Sequence, residues 1–187
     1  HTETDDVVPI IETMEAMASL IKAGKIKYYG LSNETAWGTS QYLKLAEKHN
    51  IPKPITIQNA YSLINRSYEV GLSEISVREK IGLLAYSPLG GGHLTGKYLD
   101  GKKPAGTREV LWGNRFDRYR TRNTEPAVKA YYEVAKKHNI DPAQMAIQFC
   151  VIQKFVTSTI IGATSMEQLK KNIDSIDLLL TNDVIKD

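Results

Sequence analysis

The sequence has little of what marks disulfide-stabilised, metal-clustered or membrane-spanning proteins. Cys150 is the single cysteine among 187 residues, which excludes an intramolecular disulfide and a cysteine-based metal cluster. It lies in an apolar run, where a buried structural thiol is expected rather than a nucleophile. No stretch approaches the roughly 20 apolar residues of a membrane span, and no signal-peptide pattern opens the sequence, so a reducing, cytoplasmic setting is expected.

Charge is also low and mixed in sign. The net charge is +3, with 24% charged residues and no block of five or six like charges. This pattern gives no support for binding to nucleic acid or to a membrane surface. Four arginines between Arg115 and Arg122 are interleaved with Asp117 and followed by Glu125, and we expect a solvated loop there.

Short apolar runs alternate with helical periodicities along the chain. The pattern predicts four strands near residues 26–31, 55–58, 83–86 and 156–161, with helices between and after them. Asp141-Pro142 is a helix-start signal for one of these helices, and Ser165 is another. Alternation of this kind predicts an α/β fold with a parallel sheet covered by helices.

Two architectures fit that alternation, an open doubly wound sheet and a (β/α)8 TIM barrel. The interpretation as a doubly wound sheet requires the motif G-x-G-x-x-G between a strand and a helix. The glycine cluster at 90–92 does not match and leads into a long loop, which favours the barrel. A barrel has eight strands and about 250 residues. We therefore expect residues 1–187 to supply about four of its strand–helix units, as half of one barrel domain.

The segment 86–98, YSPLGGGHLTGKY, is the strongest functional signal in the sequence. It follows an apolar strand and brings together an aromatic ring, three glycines and Lys97. A ring offers a stacking face, glycines let a backbone approach a ligand closely, and a lysine can meet a phosphate. This combination indicates a nucleotide cofactor, and the alternative is a glycine-rich surface turn.

Every predicted strand ends in amide or hydroxyl groups: Ser32-Asn33, Gln58-Asn59, Tyr86-Ser87, and Gly162-Ala163-Thr164. In a barrel these positions would share the edge that carries the active site. Amides and hydroxyls recognise a ligand well but do little acid–base chemistry. No strand end presents paired carboxylates or ligands with metal-binding spacing. The alternative is that these side chains only satisfy turn backbone.

The start of the last helix adds a possible anion site. Gly162 frees the backbone, and the helix N-terminus behind Thr164 carries partial positive charge. Gln168, Lys171 and Asn172 share one face of that helix. Together with Lys97 they would flank the same phosphates, unless this is an ordinary polar helix face.

These residues resemble the aldo-keto reductase family, in its bacterial and potassium-channel-β-subunit-like branch. The resemblance rests on GKIKYYGLSN (24–33), IQNAYSLINR (57–66), YSPLGGGHLTGKY (86–98) and IIGATSMEQLKKN (160–172), in that order. It implies a (β/α)8 barrel that binds extended NADP(H) without a Rossmann domain. It also implies that residues 1–187 are the C-terminal half of that barrel.

The resemblance also implies roles for individual residues. The nicotinamide carboxamide would be held by Ser32, Asn33 and Gln58, and its ring would stack on Tyr86. The pyrophosphate channel would be lined by Ser87, Pro88, Leu89 and Gly92, with Lys97 and Arg108 on the phosphates. The adenosine end and its 2′-phosphate would meet Gly162, Thr164, Gln168, Lys171 and Asn172.

The family's catalytic Asp, Tyr, Lys and His belong to the first half of the barrel, so no catalytic residue is expected within 1–187. His1 lacks the residues that follow the family's histidine, and His49, His93 and His138 are expected to be solvated. The intact protein would reduce aldehydes or ketones with NADPH, and these residues alone would be inactive without the N-terminal half. An NADP(H)-binding regulatory protein and a half-barrel without a cofactor stay open, as does an oligomer.

Overall fold

The computed structural model describes residues 8–113 and 118–187. The predictions made for His1, Arg115 and Asp117 therefore lie outside the described residues. The strands are β1 (Leu31–Ser32), β2 (Thr56–Ala60), β3 (Gly82–Tyr86) and β4 (Val156–Thr159). The helices are α1 (Ile10–Lys22), α2 (Ala36–His49), α3 (Leu72–Glu79), α4 (Arg108–Trp112), α5 (Thr124–Lys137), α6 (Pro142–Val151), α7 (Met166–Ile173) and α8 (Asn182–Lys186). No helix in these two ranges is long and apolar enough to cross a membrane.

The four strands form one sheet in the order β1-β2-β3-β4, and every pairing is parallel. Helices connect successive strands, so the predicted α/β fold with a parallel sheet is confirmed. A doubly wound sheet reverses its strand order at a switch point, whereas strands in chain order are typical of a barrel wall. The carboxyl ends of β1 to β4 therefore lie along one edge.

The first strand is much shorter than the sequence predicts. Only Leu31 and Ser32 pair regularly with β2, although the amide of Ile55 still donates to the Tyr29 carbonyl at 3.0 Å. Gly30 lies so close to Thr56 that a Cβ at this position would collide with it. Regular strand pairing therefore begins only after this close approach, at Leu31. The prediction that residues 26–30 are strand is wrong.

Both predicted helix-start signals are confirmed. The Asp141 carboxylate accepts hydrogen bonds from the amides of Ala143 and Gln144, at 3.0 and 3.1 Å, at the start of α6. The Ser165 hydroxyl accepts one from the Gln168 amide at 3.2 Å and starts α7. Such caps satisfy amides that have no partner within the helix, so they fix where each helix begins.

The main core lies between the sheet and the helices that cover it. Ile57, Leu83 and Ala85 are fully buried there with Tyr61. Cys150 is buried beside them, and its Sγ donates to the Tyr61 carbonyl at 3.6 Å. Burial raises the pKa of this thiol to about 12, so it stays protonated and unreactive. The predicted structural role of the cysteine is confirmed.

Candidate cofactor site

The four predicted nicotinamide residues lie together at the carboxyl edge of the sheet. The Tyr86 hydroxyl donates to Asn33 Oδ1 at 2.7 Å, although the two residues are 53 positions apart. Asn33 Nδ2 in turn donates to Ser32 Oγ at 3.4 Å. Gln58 pairs in register with Ser32, and its carbonyl accepts from the Asn33 amide at 2.9 Å. The strand ends therefore form one polar array, which we call the amide cluster (Ser32, Asn33, Gln58 and Tyr86).

Two residues of this edge have a left-handed backbone. The φ angles are +52° at Asn33 and +56° at Ser87. Asparagine tolerates this region because its short side chain bonds locally, whereas serine does so less readily. Non-glycine residues held in this conformation concentrate at functional sites, because the surrounding structure must over-determine them.

Asn59, which the sequence placed only among the strand-end amides, stabilises the β1-exit loop, which comprises residues 32–35. Its Oδ1 accepts from the Glu34 amide at 3.2 Å, and its Nδ2 donates to the Glu34 carbonyl at 3.0 Å. Successive strand residues point to opposite faces, so Gln58 and Asn59 cannot both face the same ligand. This alternation is the sequence signal that could have distinguished the roles of the two residues. In the structure Gln58 is exposed and Asn59 is partly buried.

Residues 87–98, the phosphate loop, place a cation against bare backbone. Gly92 has φ +102°, and a Cβ built on it would lie 3.1 Å from Lys97 Nζ. The Lys97 ammonium also lies 5.1 Å from the centre of the Tyr98 ring. A positive charge beside an unshielded backbone suits a phosphate oxygen in chemical terms, and the phosphate role of Gly92 and Lys97 stays a prediction.

Pro88 and Leu89 differ from the other predicted pyrophosphate residues. Pro88 is buried, and Leu89 packs against a hydrophobic cluster that includes Leu94, Val128 and Ala146. Because their side chains pack in the core, only the backbone of these two residues is available to contact a phosphate.

A second cation lies beside the exit of β4. A Cβ on Gly162 would lie 3.1 Å from the guanidinium of Arg108, which stands at the start of α4. The Arg108 guanidinium also lies 5.9 Å from the centre of the Trp112 ring. Arg108 and Gly162 are more than fifty positions apart in sequence, yet the structure brings them together.

Polar contacts organise the loop between β4 and α7. The amide and hydroxyl of Thr164 both donate to Gln168 Oε1, at 3.0 and 3.1 Å. The buried Asn172 donates from Nδ2 to the Gly162 carbonyl at 3.3 Å. Four of the five residues predicted for the adenosine end thus form two hydrogen-bonded pairs, Thr164 with Gln168 and Asn172 with Gly162.

Lys171 is the exception among these five residues. Its Nζ lies 2.7 Å from Asp141 Oδ2, so its ammonium is paired with the carboxylate that starts α6. Gln144 Nε2 also donates to the Lys171 carbonyl at 3.0 Å. The side chain is therefore directed to α6 in this structure, and contact with a 2′-phosphate requires it to leave Asp141.

The comparison with known proteins assigns the family. The sequence profile of the Aldo/keto reductase family matches residues 3–187. The chain belongs to the aldo/keto reductase family. The predicted resemblance is confirmed, and the four strand–helix units are part of that family's (β/α)8 barrel.

Individual relatives cover nearly all of this aldo/keto reductase chain. It is 54% identical over 184 residues to "Protein tas" of Escherichia coli (strain K12), which is 98% of this chain and 53% of that protein. It is 32% identical over 180 residues to the L-glyceraldehyde 3-phosphate reductase of the same strain, covering 94% and 51%. It is 32% identical over 186 residues to a probable voltage-gated potassium channel subunit beta of Oryza sativa subsp. japonica, covering 97% and 57%. The chain spans about half the length of these relatives.

Two of the three predictions that histidines are solvated are wrong. His49 is exposed, as expected, but the side chains of His93 and His138 are only 12% and 19% exposed. The His93 ring packs against Tyr98 and Tyr119, with ring centres 4.9 and 6.1 Å apart. Burial lowers the pKa of His93 below its usual value. His138 Nε2 lies 2.6 Å from the Asp187 carboxylate.

The described part of this chain shows no cluster of metal ligands. Within residues 8–113 and 118–187, no group of three or more histidine, cysteine or acidic side chains is arranged to hold a metal ion. The chemistry available at the strand ends there is recognition by amides, hydroxyls and two cations.

Proposed function

We propose that this protein is an NADP(H)-dependent oxidoreductase that reduces a small aldehyde or ketone to an alcohol. The observation that supports it is the continuity of three neighbouring features along one sheet edge. The amide cluster lies at the exits of β1 to β3, the Lys97–Gly92 pair follows β3, and Arg108 lies beside Gly162 at the exit of β4. Family membership and a relative named as a reductase support the same activity.

The amide cluster has the groups needed to hold a carboxamide. A carboxamide presents one acceptor and two donors, which match the hydroxyl of Ser32 and the side-chain amides of Asn33 and Gln58. The hydrogen bond from the Tyr86 hydroxyl to Asn33 fixes the orientation of the Asn33 amide and of the Tyr86 ring together. When bound, the nicotinamide supplies the hydride. We assign the stacking face for its ring to Tyr86.

The phosphates would be held by the two cation–glycine pairs. At Gly92 and at Gly162 the missing side chain leaves room next to a cation, since a Cβ there would lie about 3.1 Å from nitrogen of Lys97 or Arg108. Charge-assisted hydrogen bonds from these nitrogens are the strong kind that phosphate binding uses. Ser87, Pro88 and Leu89 would add backbone contacts to the same channel.

The adenosine end would lie over the loop that precedes α7. Gly162, Thr164, Gln168 and Asn172 are already linked there by hydrogen bonds, so little ordering is needed on binding. We include Lys171 as the contact to a 2′-phosphate, formed when its ion pair with Asp141 opens. An anion close to α7 would also be favoured by the helix N-terminus.

Protonation of the product alkoxide needs an acid, and we propose that it lies outside residues 1–187. The strand ends in the described ranges offer amides, hydroxyls and cations, with no carboxylic acid or histidine among the assigned residues. On this proposal the residues N-terminal to the chain in the intact barrel complete the site, and residues 1–187 alone bind cofactor without turnover. The cytoplasm is the proposed location.

One observation favours a second candidate, an NADP(H)-binding regulatory protein without significant turnover. No carboxylic acid or histidine is among the described residues that we assign to the site, and a relative at 32% identity is named as a probable channel subunit. In that case the cofactor site would act as a sensor, through a partner or an oligomer.

A titration of the full-length protein with NADPH, followed by fluorescence, tests the proposal. We expect saturable quenching or a blue shift, tighter binding of NADPH than of NADH, and loss of absorbance at the NADPH band on addition of a small aldehyde. Binding without turnover of any aldehyde or ketone would favour the regulatory candidate. An unchanged fluorescence signal at saturating protein would refute both candidates.

A further inference from the structure

A buried histidine and a buried glutamate lie side by side between the phosphate loop and α4. His93 belongs to the loop and Glu109 to the helix, and their side chains are only 12% and 11% exposed. His93 Nε2 lies 4.0 Å from Glu109 Oε2, which is too long for a hydrogen bond. Among the described residues, neither atom has a hydrogen-bond partner. The two groups are therefore close without being bonded, and the proposed function gives neither of them a role.

A proton on His93 would bond both groups at once. A hydrogen bond from an imidazolium to a carboxylate is about 2.8 Å long, so the two atoms are only about 1 Å too far apart for it. Desolvation without a partner is unfavourable for each atom, and this bond would remove both unpaired positions. The His93 ring also packs on Tyr98 and Tyr119, with ring centres 4.9 and 6.1 Å apart, and aromatic faces attract a cation.

The protonation of His93 is set by opposing influences from several elements. Burial lowers the pKa of His93, Glu109 raises it, and Arg120 and Lys97 lower it. Glu109 is restrained through its other oxygen, since Oε1 lies 3.6 Å from the Arg120 guanidinium. Further titratable groups on the elements packed against the loop are Tyr98, Arg118, Tyr119, Glu125, Tyr131 and Tyr132. α6 also contacts the loop and carries no charged side chain. The imidazole is therefore neutral at pH ~7, and a change in a neighbouring charge shifts its protonation.

Both members of the pair stand next to a proposed phosphate contact in the chain. His93 follows Gly92, which makes room for the Lys97 ammonium. Glu109 follows Arg108. A bond between the two side chains would draw the phosphate loop towards α4, and with it the two cations towards each other. We propose that His93 and Glu109 form a proton-dependent latch, which closes the phosphate loop onto α4 when His93 is protonated and thereby strengthens cofactor binding.

Protonation and cofactor binding are linked through Lys97. Its charge disfavours the proton on His93, and a phosphate bound at Lys97 would offset that charge and raise the pKa of His93. By reciprocity, protonation then strengthens cofactor binding. The gain in affinity is fully present below the pKa of the free protein and is lost as the pH rises through the pKa of the complex. This effect on the cofactor rests on the proposed function, whereas the latch between the two side chains does not.

The latch is tested by the imidazole ¹⁵N shifts of His93 in the full-length protein, followed without cofactor from about pH 4.5 to about pH 8.5. The spectrum of His93→Gln identifies the resonance. Glu109→Gln removes the attracting charge and should lower the pKa of His93 by about one unit. Glu133→Gln, at an exposed position of α5, is the matched control and should leave it unchanged. An unchanged pKa in Glu109→Gln, or an equal change in Glu133→Gln, would overturn the proposal.

A second variant and a distance measurement decide if Glu109→Gln fails to fold, which circular dichroism would show. Lys97→Met removes a repelling charge and should raise the pKa of His93, so an unchanged value would overturn the coupling. Crystal structures at about one unit below and about one unit above the measured pKa test the closure itself. The distance from His93 Nε2 to Glu109 Oε2 should shorten to about 2.8 Å at the lower pH. The same distance at both pH values would overturn the latch.

NADPH titrations at these two pH values test the effect on the cofactor. The 2′-phosphate of NADPH itself titrates near pH ~6, so the wild type is compared with His93→Gln, in which that contribution remains. The gain in affinity at the lower pH should be about two- to fivefold larger in the wild type, and His49→Gln, at an exposed position, should match the wild type. Equal pH dependence in the wild type and His93→Gln would overturn the coupling. Absence of NADPH binding at both pH values would refute the cofactor assignment alone, since the titrations without cofactor decide the latch.

Discussion

Replacement of Gly92 by alanine should weaken NADPH binding by moving the Lys97 ammonium. A Cβ at Gly92 would lie 3.0 Å from Lys97 Cε and 3.1 Å from Nζ, closer than ordinary van der Waals contact. The atoms it meets are the far end of a flexible side chain, so Lys97 moves and the fold survives. The charge that the phosphate needs is thereby displaced.

The expected magnitudes separate stability from affinity. Gly92 has φ +102°, and an alanine there is strained by roughly 1–3 kcal/mol. Gly106 has φ +73° with nothing within 4 Å of a built Cβ, so Gly106→Ala carries a strain of about 1–2 kcal/mol without any contact to Lys97. The two variants should therefore lose similar stability, but only Gly92→Ala should lose affinity, by about tenfold, because part of a charge-assisted hydrogen bond worth about 1.5–3 kcal/mol is lost.

Fluorescence titration with NADPH, together with urea unfolding, measures both quantities in the full-length protein. Lys97→Met removes the charge altogether and sets the upper limit of the loss of NADPH affinity, at roughly 10- to 100-fold weaker binding. In the double variant, Gly92→Ala should add little to the effect of Lys97→Met, because the two act on the same contact. Equal NADPH affinity in Gly92→Ala and Gly106→Ala would refute the role given to Lys97.

Three further changes test other contacts. Asp141→Asn keeps an acceptor for the start of α6 but releases Lys171, and should raise affinity for NADPH over NADH by about two- to fivefold in fluorescence titrations. Glu69 has a lowered pKa, chiefly through its hydrogen bonds from Arg66, so its carboxylate stabilises the fold above pH 4.5 and this contribution is lost as the pH falls. Glu69→Gln should therefore lower Tm at neutral pH but have little effect near pH ~3. Asn59→Asp removes the donor to the β1-exit loop and should lower the free energy of unfolding by about 1–3 kcal/mol in urea titrations.

Each of these changes has a control or a contradicting result. An equal gain for NADH in Asp141→Asn would show that Lys171 does not meet the 2′-phosphate. Glu74→Gln breaks an exposed ion pair with Arg78 and should change Tm little at any pH. If Glu74→Gln lowered Tm as much as Glu69→Gln does, the stabilising role given to the Glu69 carboxylate would be refuted. Asn123→Asp, at an exposed position, should leave stability unchanged.

The sequence was sufficient for the features that depend on the strand order alone. Parallel strands place their carboxyl ends at one edge, so the meeting of Ser32, Asn33 and Tyr86 followed from the strand–helix alternation. Packing between distant segments was not predictable in the same way. The burial of His93 depends on Tyr119, and the position of Lys171 depends on Asp141, thirty residues earlier in the chain.

The structure also shows why the phosphate loop can hold a defined shape without strands. Leu94 is buried against Val128 of α5 and Ala146 of α6, and Leu89 packs on the same cluster. The backbone between Leu89 and Leu94 is therefore fixed from the core side, which leaves its outer face to Gly92 and Lys97. The His93 ring, packed against Tyr98 and Tyr119, restrains the loop further, so the loop has little freedom left to lose when a ligand binds. This restricted backbone is why we propose the cofactor phosphates for this one short segment.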